Sequence, residues 1–354
     1  MEWLAAFAMN YGLFLAKTVT LVVAVIAVVI MVVSSIAGLR QQSRQRLKIE
    51  HVNERLKSLA DALTDALLNP AEKKDLAKRR KREAKQQSKA EKLGKRHAPS
   101  RLFVLDFDGD IQASAVSGLR ESITALLQVV EADDEVLVRL ESGGGMVHSY
   151  GLASSQLVRL RDAGVKLTIA VDKVAASGGY MMACVADRIV AAPFAIIGSI
   201  GVVAQVPNFN RLLKDKHIDF EMHTAGDYKR TLTIFGENTD EGRAKFREDL
   251  EDTHGLFKAF VARYRPALDI EAVATGEHWY GSQALELKLV DAVATSDDLM
   301  LEAAKAERDV FTIATREPQG LVARLSGKAS RLAARVASDQ GLARVQMNSH
   351  RYER

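Results

Sequence analysis

Residues 18–38 read TVTLVVAVIAVVIMVVSSIAG and carry no charge. An apolar run of about 20 residues with no polar face predicts a helix able to cross roughly 30 Å of hydrocarbon. Ser35, Ile36 and Ala37 have the small-x-small form of a cleavage site. The run is nevertheless longer than an ordinary signal h-region, and Lys17 is the only base before it, so an uncleaved anchor is expected.

The pattern then changes. Over residues 49–68, Leu56, Leu59, Leu63 and Leu67 recur at helical spacing, and residues 73–96 are dense in Lys and Arg, which predicts a basic helical stalk. From residue 100, short apolar strands (102–107, 135–140, 166–171 and 188–191) alternate with helical stretches (115–132, 150–163 and one opening near Ser177). Helices over 239–264 and 282–287 close this region. Such alternation predicts an α/β fold. The apolar stretch 196–206 is too short and too glycine-broken for a second span. In the tail, Leu321, Leu325, Leu332 and Val336 interleave with Arg324, Lys328, Arg331 and Arg335, the mark of a basic amphipathic helix at a membrane surface or on another subunit. The expected organisation is an anchor (1–39), a stalk (40–99), a catalytic domain (100–315) and a tail (316–354).

Charge refines this picture. The net charge is +4, but Arg40, Arg44, Arg46, Lys48, Arg55 and Lys57 follow the apolar run, against Glu2 and Lys17 before it. The positive-inside rule puts the carboxyl-terminal bulk in the cytoplasm. The stalk suits anionic lipid headgroups, at about 1 kcal/mol per basic residue near the surface. It lacks interleaved aromatics and a known module, so no nucleic-acid partner is expected. A lone cysteine, Cys184, excludes an intrachain disulfide. With no HExxH, Cys/His cluster, Walker or dinucleotide glycine pattern, neither metal nor cofactor is expected. Asp106, Asp108 and Asp110 miss the calcium-loop spacing, whose glycine would fall at Ile111, and read as a turn.

Four segments carry candidate chemistry. Ala175-Ala176-Ser177-Gly178-Gly179 follows a strand and opens an apolar helix. A serine there can project Oγ into a cleft, with the Gly178 amide placed for an oxyanion; it can equally serve as a helix cap. Ser142-Gly143-Gly144-Gly145 ends another strand and frees amides for a ligand, or is a flexible turn. Lys229, in Gly226-Asp227-Tyr228-Lys229-Arg230, could act as a base if Tyr228, Ile234 and Phe235 helped to wall it from water. Ser199, in Gly198-Ser199-Ile200-Gly201, could orient that lysine or simply form a turn. His148 and His223 lie near these segments, but neither sits in a triad context.

In this order the four segments resemble the signal peptide peptidase A family of serine peptidases, family S49, over roughly residues 102–293. They are closest to the branch that also begins with an anchor and a basic stalk. The resemblance implies a ClpP/crotonase-like fold of stacked ββα units, Ser177 as nucleophile and Lys229 as general base. It implies Ser199 as the residue holding the lysine, with Gly144 and Gly178 as oxyanion donors. Gly143 stands where that family usually has proline. Implied partners are peptide substrates such as remnant signal peptides, the lipid bilayer and further copies of the chain, each copy supplying both dyad residues itself. The family's placement outside the cytoplasmic membrane opposes the charge-based orientation, and the extracytoplasmic side is the expectation taken. Two rival functions remain: a crotonase-like acyl-CoA enzyme, and a catalytically inactive membrane scaffold or quality-control adaptor.

Overall fold

The computed structural model describes residues 12–15, 17–22, 46–92 and 100–316. The chain divides into two units, residues 1–46 with 316–354 and residues 47–315. In the first unit, residues 12–15 and 17–22 are helical. Most of the expected span, and the tail after residue 316, lie outside the described residues. Among the described residues no helix is long and apolar enough to cross a membrane.

The strands are β1 Arg46–His51, β2 Arg101–Gly109, β3 Glu135–Ser142, β4 Lys166–Val171, β5 Val174–Ala176, β6 Arg188–Ala191, β7 Ile196–Gly198, β8 His278–Tyr280, β9 Ala292–Val293 and β10 Asp309–Arg316. The helices are α1 Val52–Leu67, α2 Pro70–Lys92, α3 Val116–Leu126, α4 Val147–Asp162, α5 Gly178–Ala183, α6 Asn210–Asp215, α7 Asp240–Tyr264, α8 Ile270–Val273, α9 Gly281–Glu286 and α10 Ser296–Lys305. The sheet runs β1-β10-β2-β3-β4-β6-β9, and β2, β3, β4, β6, β9 and β10 pair in parallel.

Parallel strands covered on both faces read as near-continuous apolar runs. Here Phe103, Leu105, Phe107, Val136, Val138, Leu140, Leu167, Ile169 and Val171 belong to the larger core, with residues of α3, α4, α5 and α7. The alternate residues Leu102, Val104, Leu137 and Ala170 join a smaller core with Val52 of α1 and Met300 and Ala303 of α10. The stalk is therefore not solvated throughout. Its β1 strand joins the sheet, and the Asn53 amide group of α1 bonds both the Arg308 carbonyl and the Val310 amide. The leucine spacing hid this, because a lone edge strand of six residues leaves little periodic signal.

The sheet forks where the site forms. β3 pairs with β4 over most of its length, but its last residue, Ser142, pairs with Ala175 of β5. From there a second layer continues through β7 to the antiparallel β8. The fork brings the carboxyl ends of β3, β5 and β7 together.

One buried acid fixes the sheet's opposite end. Asp134 is 4% exposed and accepts hydrogen bonds from the Arg101 guanidinium and from the amides of Arg101 and Glu131. Burial pushes its carboxyl up, and the Arg101 guanidinium and the two amides together outweigh burial and hold it below the ordinary range. Such a carboxylate stabilises the fold above its unfolded value of about 3.9 and loses that contribution as pH falls through the folded value. Asp134→Asn is expected to cost about 2–3 kcal/mol at pH 7, read as a lower urea midpoint at unchanged slope. The difference from wild type should shrink below pH 4.

Candidate active site

Ser177 stands between β5 and α5 with φ 53° and ψ −118°, a backbone region that costs a side-chain-bearing residue roughly 1–3 kcal/mol. Two bonds fix it: its amide donates to the Gly198 carbonyl at 2.8 Å, and its carbonyl accepts the Met181 amide at 2.9 Å. The side chain makes no capping hydrogen bond. The helix-cap alternative is therefore not realised, and Oγ faces a cleft.

That cleft holds about 630 Å³. Gly143, Gly144 and Gly145 line it together with Ser177, Gly178 and Ser199. Gly144 has φ 89°, and a Cβ there would lie 2.7 Å from the Ser177 Cβ and 2.8 Å from the Gly178 nitrogen. Only glycine permits this approach. The Gly144 amide, expected as an oxyanion donor, is engaged: it donates to Ser142 Oγ at 3.0 Å. Gly145 and Gly178 both line the cleft, and their amides keep no acceptor among the described residues. Gly178 opens α5, where first-turn amides have no intrahelical acceptor.

Ser199 also has a left-handed backbone, φ 52°, and its amide donates to the Glu277 carbonyl at 2.6 Å. It lines the same cleft as Ser177. Lys229 does not line that cleft. Residues 221–230 are all exposed, and Lys229 sits in a turn closed by its amide and the Gly226 carbonyl. The expected apolar wall is open to solvent: Tyr228 is 57% exposed, Ile234 42% and Phe235 44%. Phe235 packs instead on Phe209 and Phe220, which are exposed themselves. His148 is exposed at the start of α4, and His223 is exposed beside Glu221.

His254 was missed in the sequence. It lines the cleft from α7 with Thr253 and Phe257, and its Nε2 lies 3.2 Å from the Ile200 carbonyl, one residue beyond Ser199. A carbonyl only accepts, so Nε2 carries the proton in this contact. His254, Phe257 and Val261 share the inward face of α7 at helical spacing. Periodicity therefore marks the face but not what it meets.

A strained serine at a helix head faces a glycine loop across one cleft, an arrangement of the kind a peptidase site uses. The sequence comparisons agree. The "Peptidase family S49 N-terminal" profile matches residues 6–157 and the "Peptidase family S49" profile residues 159–310. The chain belongs to peptidase family S49, in its SohB branch. It is 48% identical over 337 residues to "Probable protease SohB" of Haemophilus influenzae, covering 92% of this chain and 94% of the relative. It is 49% identical over 302 residues to "Probable protease SohB" of Buchnera aphidicola subsp. Schlechtendalia chinensis, covering 83% and 99%. Among solved structures, a variant of the 1510-N membrane-bound stomatin-specific protease aligns at 16% identity and TM-score 0.39, over 58% of this chain and 85% of that one.

The strain at Ser177 can be measured. Ser177→Gly is expected to be about 1 kcal/mol more stable than Ser177→Ala, because glycine enters this region freely. Chemical denaturation of the two variants checks it.

Proposed function

We propose that the chain is a membrane-anchored serine endopeptidase that cleaves membrane-associated or signal-peptide-like peptides with a Ser177/Lys229 dyad. The observation that carries this reading is Ser177 itself, held at φ 53° with its side chain turned from a capping role into the cleft. Neutral Lys229 takes the Ser177 proton as Oγ attacks the scissile carbonyl. The amides of Gly178 and Gly145 hold the oxyanion. Lys229 then protonates the leaving amine, and a water activated by the same lysine frees the acyl group. Ser199 orients the lysine from the cleft wall. Residues 18–38 anchor the chain in the inner membrane, with the catalytic domain on the extracytoplasmic side. The stacked layers β3-β4 and β5-β7 support the ClpP/crotonase-like reading of the fold.

A lysine in water is charged and cannot serve as a base. The role requires Lys229 to leave water, and the segment that carries it is suited to being covered. Val203, Phe209, Leu212, Ile218 and Phe220 are exposed along it, and exposed apolar side chains gathered on one segment suit an interaction surface. Packing of this segment in a homo-oligomer supplies the cover and desolvates Lys229.

Intact-mass analysis of the detergent-solubilised full chain with a fluorophosphonate probe tests the dyad. One adduct is expected on the wild type, none on Ser177→Ala, and labelling at least about 100-fold slower on Lys229→Ala. An unlabelled, folded wild type would favour the inactive scaffold. Fast labelling of folded Lys229→Ala would remove the lysine from the mechanism. Phe209→Asp combined with Phe220→Asp is expected to lower the oligomeric state seen by light scattering and to slow labelling together.

A further inference from the structure

Tyr150 of α4 is fully buried beneath the cleft and touches both of its sides. On the Ser177 side, the base of its ring lies against Gly178: a Cβ on Gly178 would sit 2.4 Å from the Tyr150 Cγ. On the glycine-loop side, its hydroxyl lies 2.5 Å from Ser142 Oγ and donates to the Asp110 carbonyl at 2.7 Å.

The proton count gives this cluster a direction. The Asp110 carbonyl can only accept, so it takes the tyrosine proton. The tyrosine oxygen is then the acceptor for the Ser142 hydroxyl, with the Gly109 carbonyl, at 3.3 Å, the weaker alternative. Ser142 Oγ in turn accepts the Gly144 amide at 3.0 Å. One chain of hydrogen bonds therefore runs from the Gly144 amide through Ser142 and Tyr150 to Asp110. It has no water-exposed link at Tyr150 or Ser142, both of which are buried.

This chain decides where the loop's amides point. Turning the Gly144 amide inward to Ser142 fixes the 143–144 peptide plane, and with Gly144 held at φ 89° it limits the orientations left to the next peptide, which carries the Gly145 amide. The far end of the loop is pinned separately, by the Met146 amide on the Ile111 carbonyl at 2.9 Å. Gly143 is the unpinned residue: it is exposed, and a Cβ there meets nothing within 4 Å. Its φ is not in the left-handed region. A rigid residue at 143 could therefore supply by covalent restraint what the buried chain supplies by hydrogen bonds.

We infer that Tyr150 is a positioning residue for the reaction: its hydroxyl, acting through Ser142, holds Gly144 so that the Gly145 amide is set against the oxyanion that forms at Ser177. This rests on the reading of Ser177 as nucleophile.

The test measures fluorophosphonate inactivation of the full-length protein. Tyr150→Phe keeps the ring under Gly178 and removes only the hydroxyl. We expect its limiting inactivation rate to fall at least about 10-fold, with the concentration for half-maximal rate unchanged. Ser142→Ala breaks the same chain one link along, so it should fall similarly, and the double variant should be no slower than the worse single one. Tyr150→Phe with Gly143→Pro should recover most of the rate lost in Tyr150→Phe alone. Amide hydrogen exchange over residues 143–145 should quicken in Tyr150→Phe and slow again in that rescued pair. A wild-type rate in Tyr150→Phe, or additive losses with Ser142→Ala, would overturn the inference and leave Ser177 as nucleophile intact. A folded wild type that takes no adduct would overturn the nucleophile and, with it, the catalytic role of Tyr150. In that case quickened exchange would show loop ordering alone.

Discussion

The backbone of Ser177 is bent into a conformation that a serine does not choose, and most of the domain's architecture is arranged so that it has no alternative. The Gly198 carbonyl holds its amide from β7, and α5 holds its carbonyl through Met181. β7 can reach it because the sheet forks at the Ser142 and Ala175 pairing. The fork needs glycine at 144, where any side chain would collide with Ser177. Strain of this kind persists where its surroundings over-determine it, and here fully buried Tyr150, Tyr180 and Met182 pack around the turn.

The opposite wall depends on charge rather than strain. α7 carries His254 and Phe257 to the cleft, and its end is tied to the sheet at Arg265. That guanidinium makes two bonds to Asp291, whose Oδ2 also accepts the Ile189 amide of β6. Burial pushes the Asp291 carboxyl up, but Arg265 and the Ile189 amide hold it below the ordinary range, so it stays ionised. A helix that supplies one wall of the cleft is thereby locked to the strand that follows α5. The Ser199 turn lies between the two, held by the Glu277 carbonyl and by His254 at the adjoining Ile200.

The segment from residue 203 to 235 follows a different logic. It contains one short helix, α6, and carries exposed aromatic residues that pack on each other rather than on the core. The proposed nucleophile thus sits in a tightly constrained turn, while the proposed base is carried by an exposed segment. The proposed dyad therefore ties chemistry to assembly, since a lysine acts as a base only where something removes it from water.

The alternation of apolar strands and amphipathic helices determined the α/β class and the limits of β4, β6 and α7 almost to the residue, because the two strands are near-continuous apolar runs and α7 buries one helical face. The glycine runs placed the turns at Gly144 and Ser177, since close backbone approach demands glycine wherever it occurs. Short elements were not legible: β5 and β7 have three residues each, too few for any period, and only their pairing makes them strands. Nor could the sequence tell that the start of the stalk joins the sheet, or that the Gly144 amide is taken by a serine two residues before it. It assigned Ser177, Ser199 and Lys229 to one site. Only the tertiary structure separated them, putting the two serines in one cleft and leaving the lysine in solvent, because burial depends on what packs across a residue and not on its neighbours in the chain.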